Sequence, residues 1–242
     1  KLIWVAGHSG PETAEDSRTH FGIFAPGVTQ LFPDGHIINL HPWEHNEVAP
    51  ALAAALSTDV PIIALHLTRP PVEIPDRKQL GMSSHLNASK GAYVIKDFDE
   101  KSEKKGVVIV RGTSSTNSIV NLLDILRKEN LNVKIVAAIS WELFKRQSEE
   151  YQKTIISDIE WLDSMIVTNG ALRLMHKWIG GKIVEDYSMS PDFDNRWRTG
   201  GSVDEIVAES KIDSLSVLDG IRKFVNERDK RMAAISSSLP KA

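Results

Sequence analysis

Short, mostly apolar runs alternate along this chain with longer segments of helical pattern, and this alternation restricts the fold more than any other feature. Runs of strand length occupy residues 2–6, 36–40, 61–67, 92–95, 107–110, 133–138 and 164–167. An apolar run without polar interruption is typical of a strand covered on both faces. Strands that alternate with helices predict an α/β fold with mainly parallel sheets covered by helices.

The segments between these runs carry the periodicity of amphipathic helices. We predict helices at residues 46–56, 118–129, 142–159, 171–179, 203–209 and 215–234. In the last of these, Leu218, Ile221, Phe224 and Val225 form a regular apolar stripe. The pattern therefore assigns nearly every apolar segment to a strand or to the buried face of a helix.

A proline-rich segment at residues 70–77 separates two strand–helix units. Its three prolines disfavour both helix and sheet pairing, so it is expected to be extended. The next strand-like run begins near Gly91. We therefore predict two domains, residues 1–88 and 89–242, with the boundary at about residue 88.

Composition limits the classes of partner. The formal net charge of −3 provides no basic surface for nucleic acid or for an anionic membrane. The chain has no cysteine, which excludes disulfides, thiolate catalysis and zinc–thiolate sites and fits a reducing compartment. No apolar stretch reaches the roughly 18–20 residues that span a bilayer. We expect a cytoplasmic protein.

The densest polar cluster follows the first predicted strand directly, in residues 7–20. It contains His8, Glu12, Asp16 and His20, which recur every four residues and would share one face of a helix as metal ligands. Gly10-Pro11 is a turn signal that disfavours such a helix. A solvated loop and a site for proton transfer at the carboxyl end of a strand remain as alternatives, and the residues alone do not separate them.

Four motifs in order add a family resemblance that covers most of the chain. The residues around His8 and those from Glu15 to His20 are similar, with the same spacing, to the transketolase segment Thr-His-(Asp/Glu)-Ser…Glu-Asp-Gly-Pro-Thr-His-Gln-Pro. Residues 41–47 resemble the family's Arg-Pro-Ala-Asp-x-Asn-Glu, and residues 67–69 its Leu-Ser/Thr-Arg. Residues 91–94 and 112–115 fall where the family's C-terminal domain begins and makes its first strand–helix turn.

The resemblance implies a role for each matching side chain. His20 would be the catalytic residue, hydrogen-bonded to the reacting hydroxyl and carbonyl region of the sugar, because imidazole exchanges a proton readily near neutral pH. Asp16 would accept a hydrogen bond from the adjacent substrate hydroxyl. His8 and Arg69 would bind the distal phosphate, Arg69 as a two-pronged donor. A salt bridge at the end of the strand is the structural alternative for Arg69.

The sequence departs from the family pattern at three places. Ser17-Arg18 replaces the family's Gly-Pro, and Phe21-Gly22 replaces its Gln-Pro. Residues 192–201 have no counterpart in the common form. The first two lie beside the expected substrate, so the donor and acceptor preference is expected to differ from that of ordinary sugar-phosphate transketolases.

The resemblance also implies that other parts of the full-length enzyme hold the cofactor and its metal. The family's Gly-Asp-Gly…Asn segment, which holds diphosphate and a divalent metal, and its Gly-x-x-Glu-His segment are not in this sequence. The chain also opens, without Met, directly into an apolar run. We therefore expect a C-terminal fragment or subunit that begins within the pyrimidine-binding domain. Thiamine diphosphate and Mg²⁺ would belong to the full-length enzyme, and the fragment alone would bind little or none.

The resemblance implies a function, and two alternatives stay open. The full-length enzyme would transfer a two-carbon ketol unit between sugar phosphates in pentose phosphate metabolism, as a homodimer, with the N-terminal half as this chain's partner. The alternatives are a subunit of a 2-oxo acid dehydrogenase or decarboxylase, and a catalytically silent module for dimerisation or regulation. The paired histidines with Asp16 favour the sugar enzyme, because polyols need several hydroxyl partners.

Other polar residues are expected to be structural. His41 and His45 flank a Pro-Trp turn and are assigned to helix entry, whereas His36, His66 and His176 are isolated. Asn46 is expected to cap the helix that it opens, with Glu47 favouring the helix dipole. The turn at residues 112–116 has Ser and Thr that would cap the following helix, since it lacks the Lys of a phosphate-binding loop.

Overall fold

A computed structural model describes residues 1–198 and 200–238, and it contains two separate sheets. The first comprises β1 (Leu2–Ala6), β2 (Ile37–Leu40) and β3 (Ile62–His66) in the order β1-β3-β2. All of its pairs are parallel, with Ala6 opposite His66. The short helix α1 (Gly27–Gln30) and the longer α2 (His45–Leu56) connect the strands. The strand predictions for this part are confirmed.

The second sheet comprises β4 (Ala92–Lys96), β5 (Val107–Arg111), β6 (Lys134–Ala138) and β7 (Ser164–Thr168) in the order β4-β6-β5-β7. The strands β6, β5 and β7 are parallel to one another, and only the edge strand β4 runs antiparallel. Every residue of β5, β6 and β7 is buried, which explains their uninterrupted apolar runs. The predicted α/β class with mainly parallel sheets is correct.

Helices cover the second sheet, but several are shorter than their periodicity predicts. The described helices are α3 (Thr113–Val120), α4 (Leu123–Lys128), α5 (Trp141–Phe144), α6 (Glu149–Ile155), α7 (Asp158–Leu162), α8 (Lys182–Tyr187), α9 (Val203–Glu209), α10 (Ser214–Asn226) and α11 (Arg228–Ser238). The single helices predicted at 118–129, 142–159 and 215–234 are wrong, because each segment contains a break. The segment predicted at 171–179 is a 3₁₀ helix, Leu172–Trp178.

One apolar core joins the two sheets. Ile38, Leu40 and Ile63 of the first sheet belong to the same buried cluster as Val108, Val110 and Ile135 of the second. At the junction the backbone N–H of His41 donates to the carbonyl of Ile139 at 2.8 Å. The carboxyl end of β2 therefore lies against the carboxyl end of β6 in the second sheet. None of the helices within the described residues has both the length and the apolar character needed to cross a bilayer.

Candidate active site

The polar loop at residues 7–20 follows β1 and is folded into two short turns. Pro11–Glu15 and Arg18–His20 are 3₁₀ helices, and Gly10 pairs with Gly22 through backbone hydrogen bonds of 3.3 and 3.1 Å. A Cβ atom at Gly22 would collide with the carbonyl oxygen of His8, so this close approach needs glycine. The continuous helix required by the alternative metal site does not form.

Parallel pairing of β1 with β3 brings this loop beside the residues that follow β3. The N–H of Ser9 donates to the carbonyl of Leu67 at 3.0 Å. Since the carboxyl ends of parallel strands meet at one edge of a sheet, the loop after β1 and Arg69 after β3 are neighbours.

The structure brings all four predicted site residues into contact. The rings of His8 and His20 lie 4.8 Å apart, edge to face. The Arg69 guanidinium forms an ion pair with Asp16 and contacts Nδ1 of His20 at 3.0 Å. Nδ1 of His20 lies 3.7 Å from Oδ2 of Asp16. We call His8, Asp16, His20 and Arg69 the loop cluster; it is partly open to solvent.

The contacts of the loop cluster indicate which atoms donate and which accept. A guanidinium donates and does not accept, so Nδ1 of His20 accepts from Arg69 in this arrangement. Desolvation, with the nearby Arg69 charge and His20, holds the pKa of His8 below its usual value. His8 is therefore neutral at pH 7. Two imidazoles, a carboxylate and a guanidinium can hydrogen-bond several hydroxyl groups and hold one anionic group.

Glu12 lies in the same loop but is turned away from the loop cluster. Its carboxylate is 2% exposed and accepts hydrogen bonds from Ser114 Oγ at 2.8 Å, Ser114 N at 3.3 Å and Asn169 Nδ2 at 2.9 Å. The fourfold spacing of His8, Glu12, Asp16 and His20 therefore does not produce a shared set of ligands. Among residues 1–198 and 200–238, no three His, Asp or Glu side chains are grouped to hold a metal ion.

The residues that depart from the family pattern make structural contacts. Phe21 is buried and packs edge to face against Trp197, with ring centres 5.4 Å apart. The indole N–H of Trp197 donates to the carbonyl of Arg18 at 2.6 Å. Trp197 of the unmatched stretch 192–201 therefore packs against the loop; Thr199, within that stretch, lies outside the described residues.

Sequence reasoning missed a buried polar network that joins α2 to the second sheet. Arg77 donates to Glu44 and Glu47 at 2.8 and 2.9 Å and to the hydroxyl of Tyr93 at 3.0 Å. Tyr93 also donates to Glu47, and the N–H of Trp43 donates to Glu47 at 3.0 Å. The only sequence signal is a pair of acidic residues three apart at the start of a helix.

Two expectations for helix caps are wrong. The side chain that caps α2 is that of Glu44, which accepts from the N–H of Asn46 at 2.7 Å, and Glu47 is fully buried in the network above. At α3 the N-cap is Gly112, whose lack of a side chain leaves the first amides to another group. Glu12 supplies that acceptor from 102 residues away. Both helices are capped by acidic residues that also join parts of the fold.

His41 and His66 are also not isolated. Their rings stack at 4.6 Å with an interplanar angle of 8°. Burial lowers the pKa of His66 to about 3 and that of His41 well below its usual value, with Arg111 contributing to both shifts. Both rings are neutral, and the prediction that His41 serves only helix entry is incomplete.

The fold and loop cluster define an α/β protein with a polar site at the carboxyl ends of parallel strands. Residues 91–187 match the family described as the transketolase-like TK C-terminal domain. The chain is 33% identical over 157 residues to "Transketolase 7" of Craterostigma plantagineum, covering 64% of this chain and 22% of that protein. It is 33% identical over 183 residues to the chloroplastic transketolase of Spinacia oleracea, covering 75% of this chain and 23% of that protein.

Solved structures agree on the fold. The transketolase of Pichia stipitis in complex with sedoheptulose-7-phosphate superimposes with a TM-score of 0.71 at 22% identity, covering 93% of this chain and 30% of that one. The chain is thus related to the C-terminal part of transketolases. It spans less than a third of the length of the relatives described here.

Proposed function

We propose that this chain is the C-terminal part of an enzyme that transfers a two-carbon ketol unit between sugar phosphates. The observation that carries the proposal is the loop cluster, in which His8, Asp16, His20 and Arg69 converge from two strand ends. The Pichia stipitis relative is described as a complex with sedoheptulose-7-phosphate, a substrate of matching chemistry. The relatives described above are transketolases and give no support to a 2-oxo acid dehydrogenase or decarboxylase.

In this proposal each member of the loop cluster has a separate task. His20 exchanges a proton with the reacting hydroxyl or carbonyl oxygen of the sugar, since an imidazole ring can both donate and accept a hydrogen bond. Asp16 accepts from a neighbouring hydroxyl. Arg69, which is paired with Asp16 and His20 without substrate, turns to the distal phosphate together with His8.

Thiamine diphosphate binds together with a divalent metal, and the described residues group no three His, Asp or Glu side chains that could hold a metal ion. We propose that an N-terminal half or subunit holds both, within a homodimer of the complete enzyme. The exposed edge strand β1 supports a partner segment, because Leu2, Ile3, Trp4 and Val5 are 39–58% exposed.

The domain division belongs to the same proposal. Residues 1–88 would be part of a pyrimidine-binding domain, and residues 89–242 a transketolase C-terminal-like domain. In support, each range contains one of the two sheets, and the family match begins at residue 91. We also propose a cytoplasmic location, whereas the Spinacia oleracea relative is described as chloroplastic.

The test combines this chain with an N-terminal half that binds thiamine diphosphate. We expect ketol transfer from a ketose phosphate to an aldose phosphate, and we expect His20→Ala to lower turnover by about 100-fold to 10,000-fold while cofactor affinity is kept. His36→Ala, a change at an exposed histidine outside the loop cluster, is the matched control. Stable association without ketol transfer would instead indicate the silent module, and unchanged turnover in His20→Ala would refute its role.

A further inference from the structure

A small cavity lies between the two sheets, and Ser9 and Thr68, which adjoin His8 and Arg69 of the loop cluster in the chain, line it. Its volume is about 10 Å³. Four of the residues that line it have a buried polar atom without a hydrogen-bond partner among the described residues: Ser9 Oγ, His66 Nδ1, Thr68 Oγ1 and Arg111 Nη2. An unpaired buried polar atom is costly, and four around one cavity require an explanation.

Two of these atoms can be assigned as a hydrogen-bond donor or a hydrogen-bond acceptor. Nε2 of His66 lies 3.1 Å from Oγ1 of Thr29 and 3.2 Å from Oδ1 of Asn39. The Thr29 hydroxyl already donates to the carbonyl of Pro26, so both neighbours of Nε2 are acceptors and Nε2 carries the proton. Nδ1 of neutral His66 is therefore an acceptor, whereas Nη2 of Arg111 is a donor.

We propose that this cavity binds one ordered water molecule that joins the two sheets. A cavity needs about 10–15 Å³ to hold a single water. Water both donates and accepts, so it can donate to Nδ1 of His66, accept from Arg111 and satisfy the hydroxyls of Ser9 and Thr68. A monatomic anion only accepts and would meet the lone pair of His66 Nδ1, which disfavours it.

The position of the water gives it a role in the candidate site. Ser9 follows His8, and Thr68 precedes Arg69, so the water links the backbone segments that carry the two proposed phosphate ligands to Arg111 of the second sheet. This positioning role rests on the proposed function. The water site itself rests only on the cavity and its unpaired atoms.

The direction of the change in Tm when one hydroxyl is removed tests whether the cavity holds a water molecule. If water bonds the hydroxyls, Ser9→Ala and Thr68→Val should each lower the Tm of the 242-residue chain by about 2–4 °C. Ser210 is the matched control, because its buried Oγ is also unpaired but does not line this cavity. Ser210→Ala should leave the Tm unchanged or raise it. If Ser9→Ala and Thr68→Val both leave the Tm unchanged or raise it, as expected for Ser210→Ala, the cavity is dry and the proposal is overturned.

A crystal structure of the same chain supplies the second measurement. We expect one water peak within hydrogen-bonding distance of Arg111 Nη2 and His66 Nδ1. A bromide soak that gives an anomalous peak in the cavity would assign it to an anion and overturn the proposal, as would an empty cavity. A water peak in a chain that fails to support ketol transfer would refute the proposed function alone.

Discussion

Glu12 is the residue through which the candidate loop is fixed to the second sheet. It accepts three hydrogen bonds, from the amide and hydroxyl of Ser114 and from the amide of Asn169. Burial raises the pKa of its carboxyl, although these donors oppose the shift. A buried acceptor with several dedicated donors is stabilising as a set, and the loss of one member leaves the others unpaired.

We expect Glu12→Ala to lower the free energy of unfolding by about 2–4 kcal/mol, because the donors of Ser114 and Asn169 would lose their acceptor in a buried place. Glu15→Ala, at an exposed carboxylate of the same loop, should change it by less than about 0.5 kcal/mol. Urea unfolding of both variants measures the difference. Equal midpoints for the two variants would contradict the anchoring role of Glu12.

For single residues, the sequence predicts which side chains meet when those residues directly follow the ends of neighbouring strands. His8 follows β1 and Arg69 follows β3, and parallel pairing brings them together. Glu12 has partners 102 and 157 residues away, so its spacing from His8 along the chain misleadingly suggests a shared face. Long-range packing decides the direction of such a side chain, and local periodicity carries no information on it.

At the level of a whole element, the start of α3 likewise depends on a residue that is distant in the sequence. The sequence predicts a turn at residues 112–116 and a helix from residue 118, whereas α3 begins at Thr113. Gly112 precedes it with a φ of 96°, in the left-handed region. The Ser- and Thr-rich first turn has low helix propensity, and the hydrogen bond that the N–H of Ser114 donates to Glu12 offsets it. The strands were predictable because their apolar runs are short and nearly continuous; the helix ends depend on distant acceptors.

We expect Gly112→Ala to destabilise the chain by about 2–4 kcal/mol, because a Cβ would strain the backbone and also collide with the side-chain amide of Asn169. Gly35→Ala is the matched control, since Gly35 has a φ of 83° and open space around its Cβ position. Gly35→Ala therefore measures only the free-energy cost of placing a Cβ in the left-handed region, about 1–2 kcal/mol. Thermal unfolding of the two variants separates the terms, and equal losses would show that Asn169 yields to the added methyl group.

On the scale of the whole molecule, the two sheets are joined by the shared apolar core and also by buried polar groups. Glu44 and Glu47 of the α2 region, Arg77 of the proline-rich segment and Tyr93 of β4 form one network. The proline-rich segment therefore does more than separate two units. Its sequence predicts an extended course, but the partners of Arg77, at α2 and on β4, come together only in the folded chain.

This network makes stability depend on pH. Burial raises the pKa of Glu47 to about 7, and the bonds from Tyr93, Trp43 and Arg77 only partly oppose that shift. A carboxyl with a raised pKa binds its proton more tightly in the folded chain. Its contribution is therefore fully present below the unfolded pKa of about 4.5 and is lost as the pH rises through about 7.

We expect Glu47→Gln to remove this dependence. Between pH 5 and pH 8 the free energy of unfolding of the wild type should fall relative to Glu47→Gln by up to about 3 kcal/mol, because a one-unit pKa shift corresponds to about 1.4 kcal/mol. Glu73→Gln, at an exposed carboxylate, is the control for a change of net charge. Urea unfolding at several pH values provides the measurement. Parallel pH profiles for the wild type and Glu47→Gln would show that Glu47 stays ionised in the folded chain, with the Arg77 charge outweighing its burial.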